Sequence, residues 1–201
     1  MRRFDYWDKF PLHEIDYSDW ENSIALFGDS TTYGQGLADE YRLHNQIDTE
    51  RTINNFGYPS HSNEHIFKKM VDIFTNHGFP RAVIIGWTST KRMAVINEEE
   101  YNIHPLGPWM EEGKGGVDLF RLLAVSYPST MISKTEDIIK ATRLMCQNRC
   151  ILKEWTVFDM PFMVDNEDSG IYYQEKIDIA DDGCHSGKET IKQLCKHIGR
   201  I

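Results

Sequence analysis

Ser23-Ile24-Ala25-Leu26-Phe27-Gly28-Asp29-Ser30 is a short apolar run that stops at a glycine and passes directly into two polar residues. An uncharged run of that length reads as a strand buried on both faces. It has counterparts along the chain: Arg51 to Phe56, ended by Gly57; Ala82-Val83-Ile84-Ile85, ended by Gly86; and Trp155-Thr156-Val157-Phe158, ended by Asp159. Stretches of helical period lie between them. Ile66, Met70, Ile73 and Phe74 predict a helix from near Ser62 to His77, with Gly78 in the C′ position, and Ile138, Ile139, Leu144 and Met145 predict another from Thr130 to Gln147. Strands alternating with helices define an α/β layer fold.

The last element begins near Ser186-Gly187-Lys188-Glu189, which fits an S-x-x-E capping box, and continues with an apolar stripe of Ile191, Leu194, Cys195 and Ile198. Residues 97–128 hold prolines and glycines without a period and read as a long excursion. With 201 residues, 40% hydrophobic, the chain suits one domain spanning 1–201. Thirty-one acidic against 22 basic residues give a formal charge of −9, which repels phosphate backbones and anionic lipid, so neither nucleic acid nor a membrane is an expected partner. No apolar run has the length of a membrane span and no signal segment is evident, so a cytoplasmic protein is expected. Cys146, Cys150, Cys184 and Cys195 lack paired CxxC spacing and are expected as reduced thiols, with Cys146 and Cys150 on one face of a helix.

A serine hydroxyl becomes a nucleophile only when a base takes its proton, and that base needs an orienting carboxylate and donors for the oxyanion. Ser30 follows the first strand and Gly28, where the chain can turn sharply and expose a hydroxyl. Alone it reads equally as a turn residue or a helix cap. Asp182-Gly183-Cys184-His185 places a carboxylate and an imidazole, separated by two residues, in a single loop before the last helix, where both can face one point.

Gly28-Asp29-Ser30 after the first strand, Gly57 after the second, a strand ending at Gly86, and Asp-x-x-His before the final helix together resemble the SGNH, or GDSL-type, hydrolases over about Ser23 to Ile198. The resemblance implies a three-layer α/β/α sandwich around a mainly parallel sheet of about five strands, and an esterase without a cofactor or metal. Ser30 would attack an ester carbonyl, His185 would carry the proton, and Asp182, rather than neighbouring Asp181, would orient the imidazole. The backbone amides of Ser30 and Gly57 would hold the oxyanion. The family's third strand is usually followed by Gly-x-Asn-Asp, whose asparagine is a further oxyanion donor, but this chain reads Gly86-Trp87-Thr88-Ser89. Loss of such a donor costs on the order of a hundred- to a thousand-fold in turnover unless it is replaced. Thr88 by position, or Asn63, would replace it. The variant resembles divergent members from phages and bacteria. Carbohydrate O-acetyl groups, lipid esters and thioesters all fit as substrates.

His61-Ser62-Asn63-Glu64-His65 matches H-x-x-E-H, a zinc pattern that needs a continuous helix, yet it straddles the loop-to-helix junction after Pro59. Gly113-Lys114-Gly115-Gly116 lacks the rest of a phosphate loop and reads as a turn. Trp87, Trp109 and Tyr33 are candidates to line a pocket, with core packing the blander reading, and Cys184 reads as a packing thiol. The rival function is an SGNH-like scaffold that binds a ligand or protein partner with little or no turnover.

Overall fold

Parallel strands need both faces covered, and the chain meets that need by alternation. The computed structural model describes residues 11–97, 102–106, 126–160 and 170–201. Five parallel strands form its main sheet: β1 (Ile24–Phe27), β2 (Ile53–Asn55), β3 (Ala82–Trp87), β6 (Ile151–Thr156) and β7 (Tyr172–Tyr173), in the spatial order β2-β1-β3-β6-β7. A separate antiparallel hairpin, β4 (Met93–Asn97) with β5 (Asn102–Leu106), stands between β3 and β6 in sequence.

Successive strand side chains point to opposite faces. Ala25, Phe27, Val83 and Ile85 therefore pack on one side against Ile66, Met70, Ile73 and Phe74 of α3 (Asn63–His77) and Ile139 of α4 (Pro128–Cys146). Ile24, Leu26, Ala82 and Ile84 pack on the other against Leu43 of α2 (Leu43–Gln46) and Ile191, Leu194 and Ile198 of α5 (Lys188–Ile198). The result is a three-layer α/β/α sandwich. Each fully buried isoleucine or leucine contributes about 1.5–3 kcal/mol to it.

β1 has β2 on one side and β3 on the other, so the chain leaves it in opposite directions and a crevice opens at the carboxyl ends of β1 and β3. In open α/β sheets ligands bind at such a switch point. Ser30 follows β1, and Thr88 follows β3.

Several boundaries differ from the sequence reading, each for a physical reason. β3 runs through Gly86 to Trp87 instead of ending before the glycine. β6 begins at Ile151, four residues earlier than expected, because the Glu154 carboxylate that breaks its apolar run is satisfied inside the fold: Trp87 Nε1 donates to it at 2.8 Å and Arg143 Nε at 2.6 Å. Burial raises the Glu154 carboxyl above its ordinary range, opposed by those same two partners. α4 ends at Cys146, and Asn148 turns the chain with φ of 61°, so Cys150 lies beyond the helix rather than one turn along it. All four cysteines are free thiols. The hairpin of β4 and β5 occupies the edge of the expected excursion, whose residues 107–125, including Trp109 and Gly113 to Gly116, lie outside the described residues.

The expected Ser186 capping box is also replaced. Gly187 is the N-cap residue of α5 and supplies no side chain, while the Ser186 hydroxyl is buried without a partner among the described residues. Asp178 caps the helix from outside, its carboxylate accepting from the amides of Glu189 at 2.9 Å and Thr190 at 2.8 Å and from the Thr190 hydroxyl at 2.7 Å. Gly187 is required there, because a Cβ would fall 2.5 Å from the Asp178 carboxyl carbon. Among the described residues no helix is long and apolar enough to cross a membrane.

Candidate active site

Asp29 ends the strand segment in extended backbone and, as the N-cap residue, accepts a hydrogen bond from the Thr31 amide at 3.0 Å. That cap starts α1 (Ser30–Tyr33), a single turn closed by Gly34 in the left-handed region with φ of 88°. Ser30 is thus the first residue of a helix, with an amide the helix itself cannot use. Its side chain is 3% exposed, and its hydroxyl has no hydrogen-bond partner among the described residues.

Glycines at three strand ends let α1 sit where it does. A Cβ on Gly57 would come within 2.7 Å of the Tyr33 amide nitrogen and 2.9 Å of the Thr32 carbonyl carbon, and a Cβ on Gly86 would meet Trp155 at 2.6 Å and the Thr32 hydroxyl. Gly28 faces that hydroxyl as well. The short helix is pressed onto the carboxyl ends of β1, β2 and β3, and only residues without a side chain allow the approach.

Asp29 does more than cap. It is 2% exposed, and its Oδ2 accepts from the Thr88 hydroxyl at 2.8 Å and from Arg92 Nη1 at 2.8 Å. Arg92 reaches this carboxylate from beyond β3, with its guanidinium 5.2 Å from the centre of the Phe158 ring. The carboxylate ties the Ser30 loop to the segment after β3. Sequence reading passed over Asp29 and Arg92; the signal available for Asp29 was an acidic residue directly before a helical turn, the preferred N-cap.

Asp182 and His185 are brought together. His185 Nδ1 lies 2.6 Å from Asp182 Oδ2, and the other carboxylate oxygen accepts from the backbone amides of Cys184 and His185, each at 3.1 Å. Burial works to raise the Asp182 carboxyl, but the amides of His185 and Cys184 and the His185 ring outweigh it and hold it below its ordinary value. The loop docks on the turn that follows α1. The Asp181 amide donates to Gly36 O at 3.3 Å, and the Asp182 carboxylate packs where a Cβ on Gly36 would stand, 2.6 Å from its carboxyl carbon. Ser30 O accepts from Gly34 N and Gln35 N, so the loop carrying Asp182 and His185 rests one short turn from Ser30. The structure joins Asp182 to His185 and does not close a hydrogen bond between His185 and Ser30.

The oxyanion candidates lie around the same crevice in bonds of their own. The Gly57 amide donates to Asn55 Oδ1 at 2.9 Å. The Thr88 hydroxyl donates to Asp29, its amide donates to Asn63 Oδ1 at 2.9 Å, and Asn63 Nδ2 donates back to Thr88 O at 3.0 Å. Asn55, unremarked in the sequence, also donates to Thr32 O at 2.9 Å and touches His44 Nδ1 at 3.1 Å, so it holds both the Gly57 loop and α1. Beside this loop a cleft of about 300 Å³ is lined by Leu12, His13, Tyr17, Phe56, Tyr58 and His61 among others.

Ser62 is the N-cap residue of α3, accepting from the His65 amide at 3.5 Å, so His61 stands outside the helix and the H-x-x-E-H pattern is split across the cap. The His61 and His65 rings lie parallel with centroids 5.3 Å apart instead of converging on one point. Trp87 is buried in the core, and the Tyr33 hydroxyl anchors the preceding segment by donating to Pro11 O at 2.9 Å.

These features define an α/β/α protein whose switch-point loop presents a serine beside a tethered carboxylate and whose last loop presents an aspartate paired with a histidine. No protein-family model matches the chain, and no curated protein matches it. Among solved structures the chain is similar to a protein of Desulfitobacterium hafniense DCB-2 provisionally named a lipolytic protein of the G-D-S-L family, at 13% identity over 88% of this chain and 97% of that one, TM-score 0.48. It is also similar to a Streptococcus pneumoniae protein provisionally named a platelet activating factor (14% identity, 90% and 84% of the two chains, TM-score 0.38). A third is the C-terminal catalytic domain of Streptococcus pneumoniae peptidoglycan O-acetyltransferase A, bearing a methylsulfonyl adduct (12% identity, 87% of each chain, TM-score 0.32).

Proposed function

We propose that the chain is a serine hydrolase of the SGNH type, cleaving a carboxylic ester through an acyl-enzyme on Ser30. The observation that carries the reading is the 2.6 Å contact between Asp182 and His185 on a loop seated at Gly36, in the turn that follows the helix Ser30 begins. An imidazole whose Nδ1–H is held by a carboxylate exposes Nε2 as the base, the tautomer that proton abstraction from a serine needs. In the reaction His185 takes the Ser30 proton as the hydroxyl oxygen attacks the carbonyl, returns it to the departing alkoxide, and repeats the cycle with water. The Ser30 amide, first in its helix, faces the developing oxyanion with the helix N-terminus behind it. Carbohydrate O-acetyl groups and lipid esters are the substrate classes proposed.

A second reading has an observation of its own. The Gly57 amide is engaged by Asn55, and Thr88 is engaged by Asp29 and Asn63, so the oxyanion cradle is partly occupied by the chain's own groups. That favours a slow enzyme, or a scaffold that binds without turning over. Fluorophosphonate labelling together with p-nitrophenyl esters of increasing chain length separates the two. Labelling and hydrolysis that vanish in Ser30→Ala, by a factor of roughly 10⁴ or more, support the hydrolase. Absence of labelling in the wild type would favour the binding scaffold.

A further inference from the structure

Three different donor atoms converge in the last loop. Cys184 Sγ lies 3.1 Å from His185 Nδ1 and 3.6 Å from Asp182 Oδ1, and His185 Nδ1 lies 2.6 Å from Asp182 Oδ2. A thiolate, an imidazole nitrogen and a carboxylate oxygen are the donor set that zinc takes, with metal–ligand distances of about 2.0–2.3 Å. Tetrahedral bonds of those lengths set neighbouring donors roughly 3.4–3.6 Å apart. The Cys184 Sγ to Asp182 Oδ1 spacing already has that value and the Sγ to His185 Nδ1 spacing is slightly short; the Nδ1 hydrogen bond runs to the other carboxylate oxygen, Oδ2, and opens once its proton leaves, so that one oxygen of Asp182 serves as the ligand. Of the His, Cys, Asp and Glu groupings among the described residues, this is the one whose donor atoms meet within reach of a single ion. The Asp182 and His185 side chains keep 27% and 18% of their surface and Cys184 is exposed, so an ion and a completing water have access. Gly183, with φ of 74°, makes the tight turn that folds the three side chains to one side.

We propose that Asp182, Cys184 and His185 form a zinc-binding site whose occupation switches the hydrolase off. On binding, the Cys184 S–H bond breaks and its proton passes to solvent, while Zn–S, Zn–N and Zn–O bonds form. The metal takes the lone pair of His185 Nδ1, so the imidazole proton resides on Nε2. Nε2 is then a donor and cannot accept the Ser30 proton. Asp182 is withdrawn from orienting duty at the same time. The inhibition rests on the hydrolase reading; the binding does not.

The test uses the full chain, freed of metal with a chelator. Titration with Zn²⁺ against a chromophoric indicator should give one equivalent bound, and Co²⁺ in its place should give a thiolate-to-metal absorption band. Cys184→Ser should weaken binding at least tenfold and abolish the band, whereas Cys195→Ser should change neither. Zinc should suppress fluorophosphonate labelling of wild type at least tenfold, reversibly on adding chelator. One equivalent of zinc dependent on Cys184 in a protein that hydrolyses no ester would retain the site and remove the hydrolase. No binding that depends on Cys184, or labelling undiminished by saturating zinc, would overturn the proposal while leaving the hydrolase intact.

Discussion

Acid should unfold this protein partly through His61. The ring lines the cleft beside the Gly57 loop with only part of its surface open, and burial, with the neighbouring His65 next in size, lowers its pKa to about 3 against an ordinary 6.5, the hydrogen bond to Gly28 opposing. In the unfolded chain the same imidazole takes up its proton near pH 6.5. Between those values the unfolded state holds one proton more than the folded state, so stability falls as pH falls and levels off only below the folded value. Each pH unit well inside that window is worth about 1.4 kcal/mol, and from about pH 7.5 to 4.5 His61 removes about 2.7 kcal/mol. His44, lowered to about 4 by burial and then by His13, removes nearly as much. Together they take roughly 5 kcal/mol from a total that for ordinary domains is about 5–15 kcal/mol. Urea unfolding followed by tryptophan fluorescence at steps from about pH 7.5 to 4.5 measures the decline. His61→Phe keeps a ring to stack on His65 and removes the titration, so its decline over the window should be about 2–3 kcal/mol shallower. Wild type and variant curves running parallel would refute the reasoning.

The other expectations can be checked by the same unfolding assay with activity alongside. Asp29→Asn takes the charge from a residue 2% exposed that accepts from both Arg92 and Thr88 and should cost about 1–3 kcal/mol, with Arg92→Met in the same background restoring part of it in a double-mutant cycle. Asp178→Ala should lose about 1–2 kcal/mol because three donors at the start of α5 lose their acceptor, while Ser186→Ala should fall within about 0.5 kcal/mol of wild type; the reverse ranking would restore the capping box. Gly57→Ala forces a Cβ to within 2.7 Å of the Tyr33 amide and should displace α1, abolishing labelling of Ser30 in a chain that still folds at reduced stability.

Much of the fold was legible because its signals are local. Uncharged β-branched runs marked the cores of β1 and β3, and the 3.6-residue spacing of Ile66, Met70, Ile73 and Phe74 marked α3 with its Ser62 cap and Gly78 terminus. What escaped the sequence depended on partners far along the chain. Ile151-Leu152-Lys153-Glu154 does not read as a buried strand until Trp87 and Arg143 are known to satisfy Glu154. The capping box at Ser186 failed because Asp178, ten residues before Lys188, reaches the same amides and leaves Ser186 pairing with Ile179 in an isolated bridge. In the site, the pairing of Asp182 with His185 was legible because only two residues separate them; Asn55, which holds the Gly57 amide through a side chain, carries no pattern that announces the role.

The Gly28-Asp29-Ser30 triplet divides into three physical tasks, and the division explains why a missing asparagine after β3 leaves no structural gap. Gly28 admits the Thr32 side chain of α1, Asp29 anchors, and Ser30 opens the helix with a hydroxyl that no other described residue engages. The anchor needs donors from across the switch point, and Thr88 and Arg92 supply a hydroxyl and a guanidinium to one carboxylate oxygen. Thr88 cannot give the same proton to an oxyanion while it bonds Asp29, so in the proposed hydrolase rigidity of the Ser30 loop and strength of the oxyanion cradle would compete for one hydroxyl. Thr88→Val separates them. If the hydroxyl is purely an anchor, the variant lowers stability by about 1–3 kcal/mol and leaves the rate of acylation of its folded fraction unchanged. If substrate draws the hydroxyl away from Asp29 in the transition state, acylation of the folded fraction falls by on the order of a hundred-fold with KM unmoved.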